Sequence, residues 1–270
     1  MRNNIRHTNR LLLLIAGIFI SVSLHAQGFE GYYRYPDISG DLIVFTSEGD
    51  LWSVPITGGL ARRLTTHPEV EQYPKISPDG SMVAFTASYE GPNEVYTLPV
   101  EGGLPTRWTF EQESSEVCNW TPDGKLAYQT WAFSRVPDQQ VVVIDPETKT
   151  KSVLPLSQAS EASFDASGTT VYFVRPADHN NVTKRYQGGT ARQIWKFTEG
   201  SEEAVKLTTD HPGESHHPEW YEGRIYFITD RDGIMNVWSM DEEGNDLIQH
   251  TQHETYDVTW ANVSDGRIVY

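Results

Sequence analysis

The chain has 270 residues and carries 37 acidic against 21 basic side chains, a formal net charge of −16 at pH 7. A field of that sign repels phosphate backbones, so nucleic acid is not expected as a partner. A single cysteine, Cys118, excludes an intramolecular disulfide and a thiolate zinc centre, and its apolar setting between Val117 and Trp120 suits a small buried hydrophobe.

Residues 1–26 differ from everything after them. Arg2, Arg6 and Arg10 make a basic start, Leu11 to Leu24 is an apolar run of 14 residues, and the small Ala26 precedes Gln27. The run is short for a membrane span, and the layout is that of a cleavable secretory signal, with a retained anchor as the alternative. Its removal takes three arginines and no acid, leaving 18 basic against 37 acidic residues. The expected location is therefore periplasmic or secreted.

From Gln27 onward one pattern repeats. A polar turn ending in Gly leads into an apolar strand, then a strand with an aliphatic–aromatic pair, then a segment ending in Thr. It reads Ser39-Gly40, LIVF, Leu51-Trp52, Leu64-Thr65, and again Asp79-Gly80, MVAF, Val95-Tyr96, Trp108-Thr109, and later Glu222-Gly223, RIYF, Val237-Trp238, His250-Thr251. The turn glycines stand at 40, 80, 124, 168, 223 and 266. A period of about 40–50 residues built from four short strands signals a β-propeller. We predict an all-β fold over 27–270 with five complete four-stranded blades and a partial sixth, a six-bladed propeller truncated in blade six. Blade one takes Tyr33–Ser39, Leu42–Thr46, Asp50–Pro55 and Ala61–Leu64; blades two to five run Tyr73–Trp108, Glu116–Leu154, Ala162–Leu207 and His216–His250. Blade six is expected to start at Tyr256 and to hold only its inner strand and Arg267–Tyr270. A chain stopping on the apolar Ile268-Val269-Tyr270 leaves an open strand edge, so this is expected to be the front piece of a longer polypeptide.

The one long interval, from 168 to 223, marks an insertion between Val174 and Ile194. It holds Arg175, Lys184, Arg185 and Arg192 and is the most basic stretch after the leader. Insertions in repeat proteins tend to carry function, so Arg185, Tyr186 and Arg192 are candidate interface residues. On this reading Arg185 and Arg192 lie at the surface, where replacement by Ala leaves stability within about 1 kcal/mol.

Catalytic signatures are missing. No G-x-S-x-G occurs, Gly213-Glu214-Ser215-His216-His217 being the nearest string, and His253-Glu254 is not followed by a second His. Asp210, His211, His216 and His217 form the densest ligand-type cluster, yet adjacent strand residues point to opposite faces, which favours packing over metal binding. Asp230-Arg231-Asp232-Gly233 reads as a strand-connecting turn, not a calcium loop. No cofactor, metal or catalytic residue is assigned.

Tyr73-Pro74-Lys75-Ile76-Ser77-Pro78-Asp79-Gly80 and Asn119-Trp120-Thr121-Pro122-Asp123-Gly124 resemble the propeller repeats of TolB-type proteins. Tyr35-Pro36-Asp37-Ile38, Arg185-Tyr186-Gln187-Gly188-Gly189-Thr190 leading to Ile194-Trp195, and the run Gly223 to Gly233 together resemble the N-terminal six-bladed propeller of the tricorn protease family. That resemblance implies a second propeller, a PDZ-like module and serine-peptidase domains downstream, assembly into a homo-oligomer, and a propeller that gates peptides to or from a catalytic chamber. The family's catalytic residues have no counterpart in these residues. The leader departs from the archaeal, cytoplasmic pattern and points to an exported relative. A non-enzymatic TolB-like scaffold and the propeller cap of a prolyl-oligopeptidase-like hydrolase are the alternatives.

Overall fold

The structure is a computed structural model, and residues 31–178 and 185–270 of it are described; the signal segment expected at residues 1–26 lies outside them. Blade one comprises β1 (Tyr33–Ser39), β2 (Leu42–Ser47), β3 (Asp50–Pro55) and β4 (Arg62–Arg63). Blade two comprises β5 (Glu71–Ile76), β6 (Met82–Ala87), β7 (Glu94–Pro99) and β8 (Thr106–Arg107). Blade three comprises β9 (Ser115–Trp120), β10 (Leu126–Thr130), β11 (Gln140–Ile144) and β12 (Lys151–Val153). Blade four comprises β13 (Ser160–Phe164), β14 (Thr170–Arg175), β15 (Gln193–Thr198) and β16 (Val205–Lys206). Blade five comprises β17 (Ser215–Tyr221), β18 (Arg224–Thr229), β19 (Asn236–Asp241) and β20 (Ile248–Gln249). Each of these five sheets is an antiparallel meander in chain order, and no helix occurs among the described residues.

The sixth sheet has two strands, β21 (Asn262–Ser264) and β22 (Arg267–Val269). Its inner strand starts later than expected, because Tyr256 to Ala261 approach it without ladder pairing. The first strands of successive blades pack side by side, β1 on β5, β5 on β9, β9 on β13 and β13 on β17, and β21 touches both β17 and β1. The ring is thereby closed around an axis lined by first strands.

Both faces of each middle strand are covered, which is why the apolar runs are unbroken rather than alternating. Val83 and Phe85 pack with Val44 and Leu51 of blade one, whereas Ala84 between them packs with Val117 and Leu126 of blade three. Ala127 and Val141 meet Phe164 and Phe173 across the next interface, and Tyr172 and Ile194 meet Ile225 and Phe227 across the one after. Val258 and Ala261 pack on Ile228 and Val237.

The recurrent Gly and Thr have specific tasks. All six turn glycines have positive φ, from 55° at Gly40 to 81° at Gly124, a region that costs a Cβ-bearing residue strain. The closing Thr replaces a ladder partner. Thr65 Oγ1 accepts from Leu51 N (2.8 Å), Thr109 from Val95 N (2.8 Å), Thr208 from Ile194 N (3.2 Å) and Thr251 from Val237 N (2.9 Å), at a constant separation of 14 residues. Each hydroxyl also donates to a side chain: Glu71, Glu94, Gln193 and Asn236 in turn. Blade three has Pro155 at this position and lacks the motif.

Candidate functional site

The first strands carry a second repeat that aims side chains at the axis. The register of β1, β5, β13 and β17 against its neighbour slips once, and in each slip a residue other than Gly has positive φ: Tyr35 (52°), Tyr73 (53°), Glu161 (47°) and His217 (55°). These are β-bulges, which re-aim a side chain and bend the strand. Pro36, Pro74 and Pro218 follow three of them, where a residue without an N–H removes no ladder donor. β9 slips at Cys118, whose thiol is pushed up to about 12 by burial.

Together these residues surround an axial cavity of about 710 Å³. Its floor is closed by side chains. Lys75, 2% exposed, pairs with Glu219 on the opposite side of the ring and donates to Asn262 Oδ1 (2.5 Å). Asn119 Nδ2 reaches the other Glu219 oxygen (2.9 Å), and Asn262 Nδ2 donates to Pro36 O (2.6 Å). Five of the six blades, all but blade four, are thus tied across the axis by one polar network. Burial raises the Glu219 carboxyl above its usual range against the opposing pull of Lys75. Beside it Asp37, which accepts from Ile76 N (2.6 Å), is raised to about 6, again by burial.

An aromatic cluster lies against this network. The Tyr73 and Trp260 rings stack at 5.0 Å, Tyr35 meets both at 4.5 and 5.2 Å, and His217 lies 3.9 Å from Trp260. Burial drives the Tyr73 hydroxyl up, and it drives His217 well below the ordinary histidine value.

The wall above is acidic. Arg192 engages Glu214 (2.8 Å), Glu161 (3.3 Å) and Asp178 (3.5 Å) at once. Glu161 also accepts from His217 N (2.6 Å), and His216 Nδ1 stands 3.7 Å from it. Although burial pushes the Glu161 carboxyl up, His216 and Arg192 hold it well below the carboxylate range. His211 Nε2 lies 2.7 Å from Asp230 Oδ1, fastening the turn that contains Asp230 and Gly233.

The insertion joins β14 to β15 on the face where the cavity opens, the face of Trp131, Gln139 and Met235. Lys184 lies outside the described residues. Arg185 is exposed and donates through Nε to Gly233 O (3.0 Å), tying the insertion to blade five, and Tyr186 is half-buried. Arg192 departs from the surface placement expected for it, since its side chain points inward into the three carboxylates. The strings Tyr-Pro and His-Pro at matched places before the turn glycines were visible in the sequence. That they are bulges facing one axis was not, because the signal lies in register, not in residue type.

The chain matches the family model "Tricorn protease N-terminal beta propeller domain" over residues 30–270. It is 32% identical over 243 residues to tricorn protease homolog 1 of Streptomyces coelicolor, covering 88% of this chain and 22% of that protein. It is 30% identical over 245 residues to a tricorn protease homolog of Saccharolobus solfataricus, with 89% and 23% covered. The chain therefore spans less than a quarter of these relatives' length. Among solved structures, tricorn protease superposes with a TM-score of 0.77 at 27% identity, over 88% of this chain and 24% of the other. A putative TolB from Agrobacterium tumefaciens superposes with a TM-score of 0.67 at 20% identity, over 81% and 80%, a likeness of fold alone. With its blade order, its long fourth blade and this match over residues 30–270, the chain belongs to the tricorn protease family, as its N-terminal β-propeller domain.

Proposed function

We propose that this propeller is the non-catalytic, peptide-handling module of an exported tricorn-type serine endopeptidase, guiding peptides along its axis to or from catalytic domains elsewhere in the full-length protein. The observation that carries this reading is the axial cavity closed below by side chains, not by backbone. Side chains swing between rotamers on short timescales, whereas a ring of packed sheets does not widen readily. Such a passage admits an extended chain and excludes a folded domain. The basic start and apolar run of residues 1–26 support export.

The test uses the full-length protein. Asp178, half-exposed in the cavity wall, is replaced by Cys in a Cys118→Ser background and alkylated with a bulky maleimide. Peptide hydrolysis is expected to fall several-fold on alkylation and to be unaffected by a small alkylating reagent at the same site. Unchanged turnover after complete labelling would sink the passage reading. Export is tested separately, by whether a reporter fused after residue 30 leaves the cytoplasm.

A further inference from the structure

The cavity wall holds six carboxylates, Glu116, Glu161, Asp178, Glu214, Glu219 and Asp257, against one guanidinium, that of Arg192. Arg192 is shared among Glu161, Glu214 and Asp178, and Lys75 engages Glu219 from the floor. Glu116 has neutral partners: Gln129 Nε2 (3.1 Å), Asn93 Nδ2 (3.2 Å) and Ser114 Oγ (3.4 Å). By itself this is only a negative field.

Two buried groups give the field a chemistry. His217 is 4% exposed, and its Nε2 has no hydrogen-bond partner among the described residues; Glu219 Oε1, at 3.7 Å, is out of reach. Burial keeps this ring neutral, and the Ala261 backbone bonds the ring, which leaves Nε2 as a lone-pair acceptor. Trp260 Nε1, a donor, is likewise buried without a partner among the described residues. An orphan acceptor next to an orphan donor complements the N–H and C=O groups of a peptide. The aromatic cluster already attracts a cation, since the Arg34 guanidinium lies 5.3 Å from the centroid of the Tyr35 ring. A metal ion does not fit, since no three His, Cys, Asp or Glu side chains among the described residues are grouped to hold one.

We infer that the axial cavity binds the cationic end of an extended peptide, an α-ammonium or a lysine or arginine head group, with Glu116 as counter-charge and His217 and Trp260 as peptide contacts. This rests on the peptide-guiding reading and adds its substrate class: basic peptides in preference to acidic ones. The Trp260 ring lies 3.9 Å from that of His217, so occupancy beside His217 changes the surroundings of the indole and its emission.

The test titrates the full 270-residue chain with four hexapeptides, by calorimetry and tryptophan fluorescence. One has a free amino terminus and no Lys or Arg, one is its acetylated counterpart, one is acetylated with a single Lys, and one is acetylated with a single Glu. At least one of the two cationic peptides is expected to bind roughly tenfold tighter than the acetylated neutral one, by charge-assisted and cation–π contacts. Which of them binds better identifies the source of the charge. Glu116→Gln should reduce the cationic peptide to the affinity of the neutral one, and rising salt should weaken only the cationic ligand. His217→Phe, which keeps an aromatic ring and removes the acceptor, should weaken binding as well; should it fail to fold, Glu116→Gln decides alone. Equal binding of neutral and cationic peptides overturns the inference while leaving peptide guidance intact, as does an unchanged affinity in Glu116→Gln. Absence of any binding overturns the inference too, and only the alkylation assay then speaks to the passage itself.

Discussion

Lys75→Met removes the one cation at the floor of the cavity while keeping an unbranched side chain of similar length. Lys75 is 2% exposed and pairs with Glu219, whose only other side-chain donor among the described residues is Asn119 Nδ2 at 2.9 Å. Breaking a buried pair from one side leaves a buried charge uncompensated, at a cost of about 3–5 kcal/mol. The cost depends on pH, and its sign follows from Glu219. Its folded carboxyl is already raised by burial, with Lys75 pulling it down, so removing Lys75 raises it further. A carboxyl raised on folding contributes stability that is fully present below its unfolded value, about 4.3, and lost as pH rises through the folded value. The loss caused by Lys75→Met should therefore be small near pH 4.5 and reach about 3–5 kcal/mol near pH 8. Urea unfolding of the 270-residue chain at both pH values, followed by tryptophan fluorescence, measures it. The double variant Lys75→Met/Glu219→Leu should return to within about 1–2 kcal/mol of the parent, because an apolar pair of similar volume replaces the ionic one without a desolvated charge. A loss below about 1 kcal/mol at pH 8, or the same loss at both pH values, would refute the assignment of Lys75 and Glu219 as a coupled axial pair.

Thr109→Val keeps the shape of the closing residue of blade two but strands Val95 N–H and one oxygen of Glu94; the expected loss is about 2–4 kcal/mol in urea unfolding, and under 0.5 would show the motif to be incidental. Arg192→Met, by exposing Glu161, Glu214 and Asp178 to one another, should destabilise by about 3 kcal/mol or more, whereas Arg185→Ala, which loses one exposed hydrogen bond, should stay within about 1 kcal/mol in the same melts. Asp37 and Glu71, raised by burial to about 6 and about 7, stabilise below their unfolded values and lose that contribution as pH rises through 6 to 7, while Glu161, held low, loses its contribution in acid. Stability should accordingly peak at mildly acidic pH, and a melting temperature that climbs steadily to pH 8 would contradict this.

The fold was legible in the sequence because its elements are local and repeat. Turn glycines demand positive φ wherever they stand, and middle strands buried on both faces read as unbroken apolar runs such as MVAF. Thr closes a blade at a fixed 14-residue distance from its partner. These are short-range rules, so each repeat confirmed the others, and blade six was weakest where only two strands carry it.

The site was not legible, because it is made by closing the ring. Lys75 and Glu219 are 144 residues apart, and nothing near either one marks it as half of an axial pair. Nothing in the sequence joins Tyr35, Tyr73 and Trp260, which lie in three different blades; bulges turn the first two, with Trp260 of blade six, toward one another. Arg192 looked like surface charge in a basic insertion, and the ring placed three carboxylates around it. The sequence by itself determined the blades, their order and the turns between them, since those depend on neighbours within about 15 residues. Only the tertiary structure decided which side chains share the axis, because that depends on the register of each first strand and on six blades meeting at one point.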